Sequence, residues 1–257
     1  MNNLAFLVTT FLRDKLLYQC INALVKYYPD YYIIVADQGH FTKEKDNYFD
    51  KLGFRNNTKA KRQYYKLEYD CGLCKARNFL VEKAYESNCN FVFLIADSII
   101  FERNYNKEIQ IVLEFLSQEE KRALVGFELV GRVKYEYDIE LVKGKYFLLK
   151  TPKESLIVYK NMKFLPVSIT RNFFIAKTEC LLDCKCPEEL KLCEHELWHY
   201  IMKEKEWLKF YSNCIQAKYT NYKPKEYLEM RNRLYTVYRK KLQEICKIEN
   251  WIKIERR

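Results

Sequence analysis

The apolar positions of this chain fall into short runs separated by stretches of helical period. Leu4 to Thr9 has the length and composition of a buried strand. Arg13 to Tyr28 follows with apolar residues at 16, 17, 20, 21, 24, 25 and 28, the spacing of one helix face, and is closed by Pro29. Tyr32 to Ala36 is apolar again and ends on Asp37-Gln38-Gly39, so the start of the chain reads as a βαβ unit with parallel strands and a right-handed crossover. Residues 41–63 are polar and predict a helix and a loop; Tyr64 to Leu67 predicts a third strand.

The stretch from Tyr69 to Arg103 carries the strongest chemical signal. Asp70-Cys71-Gly72 is a turn, and the following pattern sets Leu80, Val81, Ala84 and Tyr85 on one helix face. A turn feeding a helix start exposes free backbone N–H groups, and Lys75 and Arg77 beside them complete an anion seat. Phe91 to Ala96 is then continuously apolar, the mark of a strand buried on both faces, and it ends on Asp97-Ser98. A carboxylate at that position is expected to point into the crevice where open α/β sheets bind their ligands.

Further on, residues 105–117 predict a helix, 121–131 a strand, and 132–158 alternate loosely as antiparallel strands or an excursion over the sheet. Asn172 to Ala176 is apolar, residues 187–205 predict a helix entered through Pro187, and from Pro224 onward one or two basic amphipathic helices form an appendage. The organisation is thus an α/β domain over residues 1–220 and a basic helical tail over 221–257.

Composition refines this picture in three ways. The N-terminal apolar run stops at Thr9, Thr10 and Arg13, and no segment approaches the roughly 18 uninterrupted apolar residues of a membrane span, so a cytoplasmic protein, soluble or peripheral to a membrane, is expected. Ten cysteines without a secretory signal favour reduced thiols; Cys71-x-x-Cys74 and Cys184-x-Cys186 with Cys193 lack the paired knuckles of a structural zinc site. The net charge is +11, and residues 221–257 hold eleven Lys/Arg against five Asp/Glu, more than half of the excess. Such a tail suits an anionic membrane surface or self-association, or is a solvated helix face. With the charge confined there and no recognition motif, nucleic acid is not an expected partner.

One short motif competes for attention. His195-Glu196-Leu197-Trp198-His199 fits H-E-x-x-H, whose histidines lie one helical turn apart and hold zinc in metallopeptidases, with the glutamate activating water. The remaining histidine, His40, lies in an apparent β–α loop, which leaves Glu204 or Glu206 as third ligand.

A set of six blocks explains more of the chain: LVTTFLR at 7–13, YYIIVADQG at 31–39, DCGLCKARN at 70–78, FVFLIADS at 91–98, RNFFIA at 171–176 and EHELW at 194–198. In order and spacing these resemble family 2 glycosyltransferases of the GT-A fold, in the branch with DCGLSAARN-type and EHEEFF-type motifs. The resemblance covers roughly residues 4–220 and implies a Rossmann-like, mixed but mostly parallel sheet flanked by helices. It implies that Thr9, Thr10, Arg13 and Asp37 hold the nucleotide's base and ribose, and that Asp70, Gly72, Arg77 and Asn78 line the diphosphate side. Asp97 corresponds to the D-x-D block that holds Mg²⁺ or Mn²⁺. The helix at 194–196 corresponds to the one that supplies the general base: Glu196 first, Glu194 second, with His195 as substitute or acceptor-orienting group.

The block departs from the family pattern, since Ala96-Asp97-Ser98 leaves Asp97 alone among the metal carboxylates. The position where relatives carry a metal-binding histidine holds Lys218, Tyr219 and Thr220. Cations such as Lys75, Arg77, Arg171 or Lys218 then neutralise the diphosphate, or the chain binds without turnover. The sequence therefore predicts an inverting transferase of polysaccharide biosynthesis. It would move a hexose or N-acetylhexosamine from a nucleotide-linked donor, UDP by resemblance, to a glycan or glycolipid acceptor. A zinc peptidase and a nucleotide-sugar-binding pseudoenzyme are the alternatives.

Overall fold

The computed structural model describes residues 3–153 and 155–255. Its first half is built in chain order from β1 (Leu4–Thr10), α1 (Asp14–Tyr27), β2 (Tyr32–Asp37), α2 (Lys43–Lys51), β3 (Arg62–Lys66), α3 (Leu73–Glu86) and β4 (Phe91–Ala96). These strands lie in the order β3-β2-β1-β4, all parallel. Every residue of β1 is buried, because helices cover both faces of the sheet. Strand side chains alternate between faces, and that alternation divides the interior in two. Leu4, Phe6 and Val8 pack with Leu17, Ile21 and Leu24 of α1, whereas Ala5 and Leu7 pack with Ala76, Leu80 and Val81 of α3. The buried face of α3 includes Ala84 but not Tyr85, which is 64% exposed and lies outside the face expected for it.

The chain continues through β5 (Ile99–Ile100), α4 (Asn106–Ser117), β6 (Arg122–Val130), β7 (Asp138–Val142), β8 (Tyr146–Lys150), β9 (Ile157–Tyr159) and β10 (Met162–Val167). Next come β11 (Phe174–Lys177), α5 (Thr178–Asp183), α6 (His195–Glu204) and β12 (Leu208–Tyr219). The sheet extends from β4 through β11, β6, β12 and β10 to β9, with β5 paired to β12. Strand β11 runs antiparallel to both neighbours, which makes the sheet mixed. The helix expected over 187–205 begins only at His195, because Cys193 takes a left-handed φ of 66° and the preceding residues form a loop that packs on α3.

Past residue 220 lie α7 (Lys225–Cys246) and β13 (Ile252–Glu255). Strand β13 pairs in parallel with β8, forming a three-stranded sheet with β7. Leu242 and Ile248 are buried there with Ile139, Phe147, Leu149 and Leu190, so a third small core ties the end of the chain to the 138–150 excursion. None of the described helices is long and apolar enough to cross a membrane.

Candidate active site

Parallel strands point their C-terminal ends at one edge, and a crevice opens there as the chain leaves in different directions. The cleft measures about 490 Å³ and is walled by Thr9 and Thr10 at the end of β1, Arg13 after it, Gln38 after β2, and Ala96 and Ser98 around the end of β4. Gly72 and Leu73 at the start of α3, Glu194 to Glu196 at the start of α6, and Lys223, Tyr227, Arg231 and Tyr235 of the C-terminal segment complete it, with Trp251.

The turn before α3 is fixed from within. Asp70 adopts φ 48°, tolerable for aspartate, and its carboxylate accepts from Lys191 Nζ at 2.8 Å. Gly72 has φ 101°, and a Cβ there would lie 2.8 Å from Lys191 Cγ, so both conformation and space demand glycine. Its N–H donates to Gln38 Oε1 at 2.9 Å. Lys75 belongs to a surface pair with Glu68 and does not line the cleft, so the expected anion seat loses that cation.

The residues at the start of α6 meet partners of very different character. Glu194 accepts from Arg77 Nη1 at 2.7 Å, both side chains being buried. Oriented to satisfy both neighbours, the Asn172 amide accepts from Arg77 Nη2 at 2.9 Å and donates to His195 Nδ1 at 3.0 Å. A neutral imidazole with its proton on Nε2 fits that arrangement, and burial pushes His195 down to about 4. Glu196 is 3% exposed and has no cation against it. Its oxygens accept from Tyr135 Oη at 2.6 Å and Trp251 Nε1 at 3.2 Å. Burial pushes its carboxyl up to about 7, against the opposing effect of those two donors. Such a group exchanges its proton near neutrality, as a general base must.

Three of the expected binding residues lie behind the cleft wall rather than on it. Asp97 is fully buried: Thr10 Oγ1 donates to it at 2.8 Å and Arg13 Nε at 3.1 Å, with Arg13 Nη2 on the second oxygen. Burial raises this carboxyl and Arg13 opposes the rise. The crevice-pointing carboxylate expected at this strand end is thus turned inward, because Arg13 offers it a closer partner than solvent. Asp37 is likewise fully buried, taking Lys45 Nζ and Tyr64 Oη at 2.8 Å and the Gly39 N–H at 2.9 Å. Asn78 bonds reciprocally with the Cys186 backbone, its amide donating and accepting at 2.9 Å. It staples α3 to the loop before α6. Cys74 and Cys186 are joined at the same junction by a disulfide with Cα atoms 5.0 Å apart, which replaces the expected pair of free thiols.

The histidine pair does not form a zinc site. His199 is fully buried in the core and does not line the cleft, with Phe174 and Trp198 against its ring. Its ring stands edge-on to His195 at 4.8 Å, and burial pushes it below the ordinary imidazole range. Among the described residues no three His, Cys, Asp or Glu side chains gather to hold a metal. For the same reason the site does not fit a divalent cation at Asp97: that carboxylate is spent on Arg13 and Thr10, Glu194 on Arg77, and Asp70 on Lys191.

Sequence reasoning missed the residues that come from far along the chain: Tyr135, Arg132, Lys191, Lys223, Arg231 and Trp251. The visible hint was the alternation at Val133, Tyr135 and Tyr137, which marks an edge over the sheet without saying what it covers.

No family model matches the chain, and no curated protein matches it by sequence. Its backbone nevertheless resembles solved structures. Residues 1–349 of S. aureus TarS in complex with UDP-GlcNAc align with a TM-score of 0.61 at 16% identity, over 96% of this chain and 68% of that one. GalNAc-T7 with UDP, GalNAc and Mn²⁺ aligns with a TM-score of 0.64 at 8% identity, over 85% of this chain and 44% of that one. Against another structure of TarS 1–349 this chain spans 66% of the length, and against a longer TarS chain 40%. At such identities the likeness speaks for architecture, and the architecture is the mixed α/β GT-A fold.

Proposed function

We propose that this protein transfers a hexose or N-acetylhexosamine from a UDP-linked donor to a hydroxyl of a glycan or glycolipid, with inversion. The domain over residues 1–220 carries the catalytic fold, and the tail over 221–257 closes one side of its cleft through Lys223 to Trp251. The observation that carries the reading is Glu196, a carboxyl pushed up to about 7 on the wall of a cleft at the C-terminal ends of parallel strands. The structural neighbours that hold UDP or UDP-GlcNAc support the choice of donor.

In this reading the donor lies between the β1 loop and the α3 turn, and the acceptor approaches from α6. The Glu196 carboxylate takes the acceptor hydroxyl proton as that oxygen attacks the anomeric carbon from the face opposite the diphosphate. The bond from the anomeric carbon to the diphosphate oxygen breaks, and UDP departs with the electron pair. One displacement inverts the centre. Neutral His195, held by Asn172, presents its Nε2 proton to acceptor or sugar oxygens. Glu194 is the weaker candidate for base because the Arg77 guanidinium already occupies it.

Calorimetric titration with UDP and UDP-GlcNAc, paired with a UDP-release assay on wild type and Glu196→Gln, tests the proposal. Saturable binding in both proteins with turnover only in wild type is expected. Failure of every nucleotide and UDP-sugar to bind overturns it, and binding without turnover against water or any glycan acceptor leaves a nucleotide-sugar-binding protein.

A further inference from the structure

The cleft carries far more positive than negative charge. Seven Lys and Arg side chains line it against three carboxylates. Arg77 is consumed by Glu194, Lys191 by Asp70, and Arg13 by buried Asp97. The other four, Arg132, Arg171, Lys223 and Arg231, make no ion pair among the described residues. Three of them rest on neutral groups, aromatic rings, a hydroxyl and a backbone carbonyl, that leave their charge uncompensated. Arg132 lies 4.3 Å over the Tyr219 ring, Arg171 5.3 Å over the Tyr135 ring while its Nε and Nη2 donate to the neutral Val133 carbonyl, and Arg231 donates to Tyr227 Oη at 3.0 Å. Burial and the like charge of Arg132 both push the Arg171 guanidinium down. Arg132 and Arg171 thus repel each other, and none of the four is held in an ion pair among the described residues.

The carboxylates that a divalent ion would need are engaged elsewhere. A GT-A cleft must still neutralise a leaving diphosphate, which holds two or more negative charges at neutral pH, so the charge has to come from another source. We propose that the unpaired guanidinium and ammonium groups of Arg132, Arg171, Lys223 and Arg231 bind the donor's diphosphate in place of a divalent metal. Two of the four belong to the C-terminal segment, which thereby supplies part of the donor site. Guanidinium groups suit this task because their planar forks meet phosphate oxygens two at a time. The inference rests on the reading of the cleft as a nucleotide-sugar site.

The test is calorimetric binding of UDP and of uridine to the full chain, in excess EDTA and in Mn²⁺, for wild type, Arg231→Gln and Lys223→Gln. Both substituted positions are exposed, so neither change threatens the fold. UDP affinity is expected to be equal in EDTA and Mn²⁺, and to fall roughly tenfold or more in Arg231→Gln while uridine affinity stays unchanged. Lys223→Gln is expected to act in the same direction. UDP binding that appears only with Mn²⁺ overturns the inference and leaves the proposed function standing. UDP binding in EDTA that neither substitution weakens overturns the assignment of these cations. Absence of UDP binding in every condition overturns the proposed function and this inference with it.

Discussion

Two buried carboxylates flank the cleft, and their partners set them apart. Asp97, at the end of β4, faces Arg13 and Thr10; Glu196, at the start of α6, faces only the neutral donors Tyr135 and Trp251. An opposite charge a few ångströms away stabilises the ionised form and makes the group structural. Burial raises both carboxyls, but at Asp97 a full positive charge opposes the rise, whereas at Glu196 only neutral donors do and the carboxyl is pushed up to about 7. Two acids on one edge of one sheet are thereby assigned different work, one anchoring the β1 loop and the other available for proton transfer.

The largest effect that tests this contrast is expected at Glu196. Glu196→Gln keeps the shape and both hydrogen-bond donors nearby but cannot take a proton, so kcat for UDP release is expected to fall by about 10² to 10⁴-fold. UDP affinity should stay close to wild type. Steady-state kinetics and calorimetry check the two halves separately, and a loss of UDP binding equal to the loss of kcat would show that Glu196 holds the donor instead.

Asp97 should answer in stability first. Asp97→Ala leaves the Arg13 guanidinium, whose side chain is 12% exposed, without its partner. Breaking a buried pair from one side costs about 3–5 kcal/mol. Denaturant unfolding should show a lower midpoint at unchanged slope. A loss below about 1 kcal/mol, outside the range for a broken buried pair, would mean that Arg13 finds solvent readily and that Asp97 is not sealed.

Much of the frame that carries these two acids was legible along the chain. Strands β1, β2 and β4 are continuous apolar runs because both faces of their sheet are covered, and α1 shows its buried face at the expected spacing. The six sequence blocks also led to the right architecture, which the backbone likeness bears out. What local pattern could not reveal was partnership. Asp97 reads as a free strand-end carboxylate until Arg13, 84 residues away, is known to reach it. Glu196 reads as one of two equal glutamates until Tyr135 and Trp251, 61 and 55 residues away, are seen to hold it. Pro187 reads as a helix start because proline favours that position, but the loop's bonds to α3 through Asn78 and Cys186 keep the chain irregular until His195.

A subtler test alters the donors to Glu196 without touching the acid. Donors to a carboxylate favour its charged form, so removing one raises the pKa. In the proposed mechanism Glu196 works only when deprotonated, so activity is expected to fall as pH drops through about 7 in wild type. Tyr135→Phe removes the shorter bond, and the acidic limb of the kcat profile is expected to move up by about one unit. Activity should be lost at pH 6 and largely recovered at pH 9, whereas a purely structural defect would depress the profile evenly.

Trp251→Phe should give the smallest shift, in the same direction, of about half a unit, since the indole bond is longer at 3.2 Å. Its value lies in where the residue comes from. Trp251 sits just before β13, in the segment tied to β8 and packed around Leu242 and Ile248. Phenylalanine keeps an aromatic ring there and removes only the N–H. A shifted acidic limb with an unchanged melting temperature would make the end of the chain part of the proton-transfer apparatus. An unshifted profile in Trp251→Phe, with a lowered melting temperature in Trp251→Ala, would reduce Trp251 to packing and leave Tyr135 alone to distinguish Glu196 from Asp97.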